Sequence, residues 1–167
     1  MKNHQLHIVT GQPAVGKTTW GRHLAKKING AFLDIDIVSE PIVQAALSLA
    51  GLAPSDRDSP QFKRALREPI YQSLFATAQA NLPHMNVVIT GPFTKELAHP
   101  TWHNDLVSQF DCQVFIYWLS ADEFTIKQRM KMRNADRDQA KLANWQAYQA
   151  YYKDVSSPRC RHEKVEI

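Results

Sequence analysis

Apolar residues along this chain fall into short continuous stretches rich in β-branched residues and longer stretches where they recur every three or four positions. Residues 6–10 (Leu-His-Ile-Val-Thr) are of the first kind and end at Gly11; residues 18–28 are of the second, with Trp20, Leu24 and Ile28 on one helical face. The spacing predicts strand, glycine-bearing turn, helix. Asn29-Gly30 supplies a helix stop, and residues 31–37 read as a second strand whose end carries Asp34 and Asp36. Residues 41–83 read as mostly helical, interrupted by the turn-rich stretch 53–60, and Pro69 either kinks the second helical part or opens a new helix.

Residues 86–90 (Asn-Val-Val-Ile-Thr) predict a third strand buried on both faces, and residues 113–119 a fourth. Ser120 and Glu123 stand in capping-box spacing, which places a helix over about 121–133, a pause at 134–138, and then a helix with Leu142, Trp145, Tyr148 and Tyr152 on one face. Residues 164–167 suffice for a short terminal strand. Strands alternating with helices imply right-handed crossovers and a parallel sheet covered on both faces. The expectation is one three-layer α/β domain over residues 1–167, with ligands beyond the carboxyl ends of the strands.

Composition adds mainly exclusions. A chain of 167 residues can bury its own core, and the ordinary apolar fraction argues against disorder or a repeat architecture. The formal charge of +4 suits a binder of small anions as readily as a nucleic-acid binder, so charge does not choose between them. Cys112 and Cys160 lack zinc or redox spacing and are too few for a disulfide scaffold. Residues 1–6 lead straight into a strand without the apolar region of a signal peptide, and no apolar run approaches about 18 residues. The expected location is the cytoplasm, with no membrane partner.

The segment Gly11-Gln12-Pro13-Ala14-Val15-Gly16-Lys17-Thr18 fits G-x-x-x-x-G-K-[ST] at every fixed position. Its glycines permit a backbone that turns N–H groups toward phosphate oxygens, and the helix that follows adds its positive end. Lys17 is expected to bridge the β- and γ-phosphates of a nucleoside triphosphate, and the Thr18 hydroxyl to be a ligand of Mg²⁺. Asp34 and Asp36, on one side of the strand if it continues through them, would bring two carboxylates to the phosphate edge. One can orient a magnesium-bound water and the other can take the proton of an acceptor hydroxyl, a poor nucleophile at neutral pH. Arg129 and Arg133 share a helical face and Arg137 follows across the polar stretch, so three guanidiniums converge where a closing segment can stabilise a transferring phosphoryl group.

With these residues, the chain resembles the nucleoside monophosphate kinase-like group of P-loop kinases, and within it the small zeta-toxin-like, shikimate-kinase-like and polynucleotide-kinase-like branches. The resemblance implies a P-loop NTPase fold with a five-stranded parallel sheet in the order 2-3-1-4-5, using ATP and Mg²⁺. It implies an acceptor site beside a helical insert at about 40–83 and a lid at about 129–138. By the same resemblance residues 11–18 and Thr19 hold the nucleotide phosphates, Asp34 supports Mg²⁺ together with Thr18, and Asp36 is the base. Arg129 would stack on adenine, Arg133 would reach phosphate, and Arg137 would be a lid arginine. Adenylate-kinase-like members carry an aspartate where this chain has Thr90, which leaves Asp34 to support the metal.

Arg57, Lys63, Arg64 and Arg67 fall in the insert and would suit an anionic acceptor, although a solvated helix face explains them equally well. His99, Trp102 and His103 flank a turn after the third strand and read more readily as surface and packing residues than as a site. The expected activity is transfer of the γ-phosphate of Mg-ATP to a hydroxyl of a small molecule such as a nucleoside, sugar or antibiotic. The alternatives are a nucleic-acid 5′-hydroxyl kinase, with nucleic acid the less favoured partner, and a non-catalytic ATP-binding module.

Overall fold

The computed structural model describes residues 4–53, 60–134, 136–155 and 158–167, apart from the side chains of residues 136, 137, 140 and 151–155. Five strands, β1 (Gln5–Gly11), β2 (Ala31–Asp34), β3 (Val87–Thr90), β4 (Gln113–Ser120) and β5 (Glu163–Glu166), form one parallel sheet in the order β2-β3-β1-β4-β5. Helix α1 (Lys17–Lys27) joins β1 to β2; α2 (Ile35–Leu49), α3 (Pro60–Ala65) and α4 (Arg67–Asn81) lie between β2 and β3. Between β3 and β4 come α5 (Thr94–Leu97) and α6 (Trp102–Phe110), and between β4 and β5 come α7 (Glu123–Arg133), α8 (Asp136–Ala143) and α9 (Trp145–Val155).

The period of two along the strands sorts the core into two halves. Leu6 and Ile8 of β1, Val87 and Ile89 of β3, and Val114, Ile116 and Trp118 of β4 pack with Leu74 and Ala78 of α4 and Leu106 and Phe110 of α6. Val9, Val88 and Leu119 point to the opposite face and pack with Ala25 of α1 and Ile126 and Met130 of α7, against which Trp145 and Tyr148 of α9 lean. The central strands are therefore apolar on both faces, as parallel strands under two helical layers must be. Helix α1 sits unusually close to the sheet: a Cβ on Gly21 would lie 2.4 Å from the Thr90 methyl and 3.1 Å from the Phe32 ring, so a glycine is needed there. No helix among the described residues is long and apolar enough to cross a membrane.

Several boundaries differ from the sequence expectation, each for a local reason. Strand β2 ends at Asp34 instead of running to residue 37, because the Asp34 carboxylate caps α2 by accepting from the backbone N–H groups of Asp36 and Ile37. The helical region thus begins at Ile35, with Pro41 inside α2. Pro69 is the third residue of a new helix, α4, where a missing N–H leaves no intrahelical bond broken. Helix α7 starts at Glu123 and is capped by Asp122, which accepts from Thr125 N at 2.8 Å; Ser120, the expected cap, belongs to β4 and pairs with Glu166. The expected pause at 134–138 is shorter. Asn134 ends α7 in the left-handed conformation at φ 46°, and α8 is under way by Asp136.

His7 is buried on the α1 side of β1, its ring 5.0 Å from that of Phe115 and its nitrogens 3.3 Å from the Tyr117 hydroxyl and 3.2 Å from Gln5 Oε1. Burial disfavours the imidazolium and pulls its pKa down from 6.5 to about 4. A histidine with a folded pKa below its unfolded one binds a proton on unfolding, so the stability it confers is complete above about pH 6.5 and is lost as pH falls toward 4. The expected loss is on the order of 2 kcal/mol, solvent screening having trimmed the full value of 1.36 kcal/mol per unit. Urea unfolding across this range should show a shallower pH slope for His7→Phe than for the parent; parallel slopes would refute the assignment.

Candidate active site

The phosphate loop leaves β1 at Gly11 and returns through Gly16, whose φ of 104° only glycine adopts without strain. Gly16 opens α1 with no side-chain cap, and Gly16, Lys17, Thr18 and Thr19, with Pro13 and Ala14, line a cavity of about 630 Å³. A helix N-terminus that no side chain caps, opening on a cavity, presents N–H donors and a positive dipole end to an anion. The Val15 side chain is fully buried between α1 and α7 and anchors the loop. From α7, Arg129 Nη1 donates to the Val15 carbonyl at 2.7 Å, tying the loop down from above. Lys17 Nζ donates to the Gly11 and Gln12 carbonyls at 3.1 and 2.8 Å, so its ammonium curls over the loop. Gln12 Oε1 is buried and accepts no hydrogen bond among the described residues.

Asp34 stands at the junction of β2 and α2 and is 5% exposed. Its Oδ1 caps α2, and its Oδ2 accepts from the Thr18 hydroxyl at 2.7 Å and the Thr90 hydroxyl at 2.6 Å. Thr90, where the resemblance marks a departure, is thus part of the site. Thr18 and Asp34 place two hard oxygen donors side by side at the phosphate loop, the ligand chemistry that Mg²⁺ takes beside phosphates. They fit the metal that the motif implies.

Asp36 does not share a strand face with Asp34, because β2 has ended; it lies in the first turn of α2. It nevertheless lines the phosphate cavity with Asp34, and it also lines a second cavity of about 310 Å³ beside Ser39, Lys63, Arg67, Tyr71 and Pro92. Pro92 borders both cavities. Its carbonyl accepts from the Thr10 hydroxyl at 2.8 Å, and the next residue, Phe93, is fully buried at φ 45° against Tyr71 and Trp102. Burying that ring offsets the roughly 1 to 3 kcal/mol of a left-handed bulky residue and fixes the turn between the cavities.

In the second cavity Arg67 donates to both oxygens of Glu96 at 2.9 Å and lies 4.6 Å from the centre of the Tyr71 ring. Burial, followed by the Glu96 charge, pushes the Tyr71 phenol up to about 12, so it is a neutral donor. Arg64 is exposed and borders neither cavity, and Arg57 lies outside the described residues. Trp102 is buried in the core and His103 bonds the Val114 carbonyl; neither borders the two cavities.

Arg129 and Arg133 both reach the phosphate cavity. Arg137 belongs to α8, but its side chain lies outside the described residues, so of the three expected guanidiniums two are brought together. Arg133 forms an ion pair at 2.6 Å with Asp138, which with Lys141 completes that wall of the cavity. Sequence reading missed Asp138, Lys141, Thr90 and Glu96. Asp138 carried a weak signal, lying five positions beyond Arg133 across a polar stretch, and Thr90 was marked only as a departure from the resemblance; Lys141 and Glu96 had none.

This arrangement defines a P-loop protein. The profile of the AAA domain family matches residues 6–155, and the chain belongs to that family. Solved structures with the same fold include a sugar kinase from a Janibacter species, 20% identical, with 98% of this chain and 84% of that one covered and a TM-score of 0.59. A gluconokinase from Sinorhizobium meliloti is 17% identical, with 100% and 83% covered and a TM-score of 0.56. A shikimate kinase from Acinetobacter baumannii, in complex with shikimate, is 17% identical, with 98% and 83% covered and a TM-score of 0.52. No curated protein matches the chain.

Replacing Asp34 should unfasten three elements at once. Asp34→Ala is expected to lower the free energy of unfolding by about 2 to 4 kcal/mol, through a lost helix cap and a buried Thr90 hydroxyl left without its acceptor. Chemical denaturation measures this directly, and a variant within 0.5 kcal/mol of the parent, roughly the scatter of ordinary surface substitutions, would show the carboxylate to be incidental.

Proposed function

We propose that the chain transfers the γ-phosphate of Mg-ATP to a hydroxyl of a small polar molecule such as a nucleoside, sugar or antibiotic. The observation that carries this reading is Asp36, which faces the phosphate cavity and the second cavity at once. A phosphoryl acceptor must sit where its hydroxyl meets both a carboxylate and the terminal phosphate, and the rim shared by these cavities has that property. The likeness in fold to sugar, gluconate and shikimate kinases supports a small hydroxylated acceptor without naming one.

The geometry supports a role for each residue. The loop backbone and the start of α1 hold the β- and γ-phosphates, and Lys17 turns from the Gly11 and Gln12 carbonyls to bridge them. Thr18 and Asp34 would hold Mg²⁺, which when bound would supply positive charge to the phosphate oxygens. Tyr71 and Arg67, the latter held by Glu96, offer donors, and Ser39, whose own proton goes to the Ile35 carbonyl, offers an acceptor, to orient the hydroxylated substrate. Asp36 takes the proton of the attacking hydroxyl as the new O–P bond forms, ADP leaves, and Arg129 and Arg133 line the side on which charge develops.

Two variants test the reading. Lys17→Ala should weaken Mg-ATP binding by about 10- to 100-fold, the worth of one charge-assisted phosphate contact, and titration calorimetry reads it. Asp36→Asn should keep nucleotide affinity while acceptor-dependent ADP release falls about 10²- to 10⁴-fold. The acceptor is first found by an ADP-release screen over nucleosides, sugars, aminoglycoside-like antibiotics and 5′-hydroxyl oligonucleotides. Transfer at the parental rate by the Asp36 variant would sink the base assignment; ATP binding without turnover on any acceptor would favour a binding module.

A further inference from the structure

Arg133 is the last residue of α7, and its side chain is 35% exposed on the wall of the phosphate cavity. Its Nε and Nη2 both donate to a single oxygen, Asp138 Oδ2, at 2.8 and 2.6 Å. The Asp138 side chain is 1% exposed. Its second oxygen, Oδ1, accepts no hydrogen bond among the described residues, and Lys141 Nζ stands 4.0 Å from it. The charge is felt further on: burial is the main cause that raises the pKa of the Tyr148 phenol on α9, Asp138 adds to it, and Arg133 opposes. Helices α7 and α8 therefore meet at one buried carboxylate, whose charge reaches α9.

An arriving phosphate can be met in two ways. Arg133 can abandon Asp138 for the ligand, or keep that bond and offer the ligand its remaining donors. Stranding a buried carboxylate costs about 10²- to 10³-fold in equilibrium, whereas a charge-assisted bond to phosphate returns about 10- to 100-fold. Arg133 therefore stays. A guanidinium has five N–H donors, and Asp138 engages Nε and Nη2, which leaves the Nη1 side for a second anion.

We propose that Asp138 is a positioning residue: it fixes the Arg133 guanidinium on the cavity wall so that its other edge meets the terminal phosphate of a bound nucleoside triphosphate. This rests on reading the cavity as a nucleotide site. It replaces the mobile arginine of the sequence expectation with one held in place before the ligand arrives, which lowers the entropy lost on binding.

Calorimetric titration with the Mg²⁺ complexes of ADP and of the non-hydrolysable analogue AMPPNP tests this without knowledge of the acceptor. The parent should prefer AMPPNP about tenfold or more, and Arg133→Ala should erase the preference. Asp138→Asn, which keeps the shape and removes the charge, should reduce the preference at least about threefold, and the double variant should lose no more than Arg133→Ala alone. Unchanged preference in Asp138→Asn, or strictly additive losses, overturns the proposal. Tighter AMPPNP binding by Asp138→Asn also overturns it, since the carboxylate would then compete with phosphate. Should Asp138→Asn fail to fold, Arg133→Lys keeps the charge on a half-exposed side chain but cannot make the two-point bond, and a parental preference there overturns the proposal equally. A parent that binds ADP and AMPPNP equally overturns it while leaving the phosphate-loop reading intact; a parent that binds neither overturns that reading itself.

Discussion

A buried carboxylate needs partners, and Asp34 has four hydrogen bonds: from the hydroxyls of Thr18 and Thr90, and from the backbone N–H groups of Asp36 and Ile37. Those donors belong to α1, β3 and α2, and Asp34 itself closes β2. One side chain thus joins the phosphate-loop helix, the neighbouring strand and the helix carrying Asp36. Bonds to a charged, desolvated acceptor are stronger than those between neutral groups, so the elements are coupled rather than merely adjacent. The position of Asp36 at the rim between the cavities follows directly, because capping forces the chain to turn into a helix one residue after Asp34.

The same capping shows where sequence reading reached its limit. The parallel sheet was legible because apolar runs such as 87–90 and 113–119 suit strands buried on both faces, its strand order came only with the family resemblance, and the phosphate loop was legible because its glycine spacing has few other uses. The boundary at Asp34 was not. A carboxylate that caps and one that continues a strand are preceded by identical residues, and what separates them is whether hydroxyls wait on neighbouring elements, here Thr18 and Thr90. Asp138 was obscured for a related reason. Its partner Arg133 comes within reach only because Asn134 takes a left-handed turn and folds α8 back on α7.

The two cavities meet at Pro92, and the turn there is held by the packing of the next residue, Phe93, together with the Thr10 hydroxyl. Phe93 holds a strained backbone because its ring is wedged among Tyr71, Phe75 and Trp102. Trp102 thereby acts on the site from the core, through a turn it helps to hold, although it touches neither cavity. On the far side of the phosphate cavity Arg129 ties the loop to α7. The floor is thus held by backbone and carboxylate, one wall by aromatic packing and the other by ion pairs.

The close seating of α1 on β3 constrains how this sequence can drift. The Thr90 methyl fills the space that a side chain at Gly21 would need, while the Thr90 hydroxyl is spent on Asp34. A larger residue at 21 demands that the methyl go, and among smaller residues at 90 only serine gives up the methyl while keeping the hydroxyl on Asp34. An acid at 90 would set a second carboxylate against the first. The pair is coupled by geometry: growth at 21 must be preceded by serine at 90, and every change at 90 that loses the hydroxyl is felt at position 34.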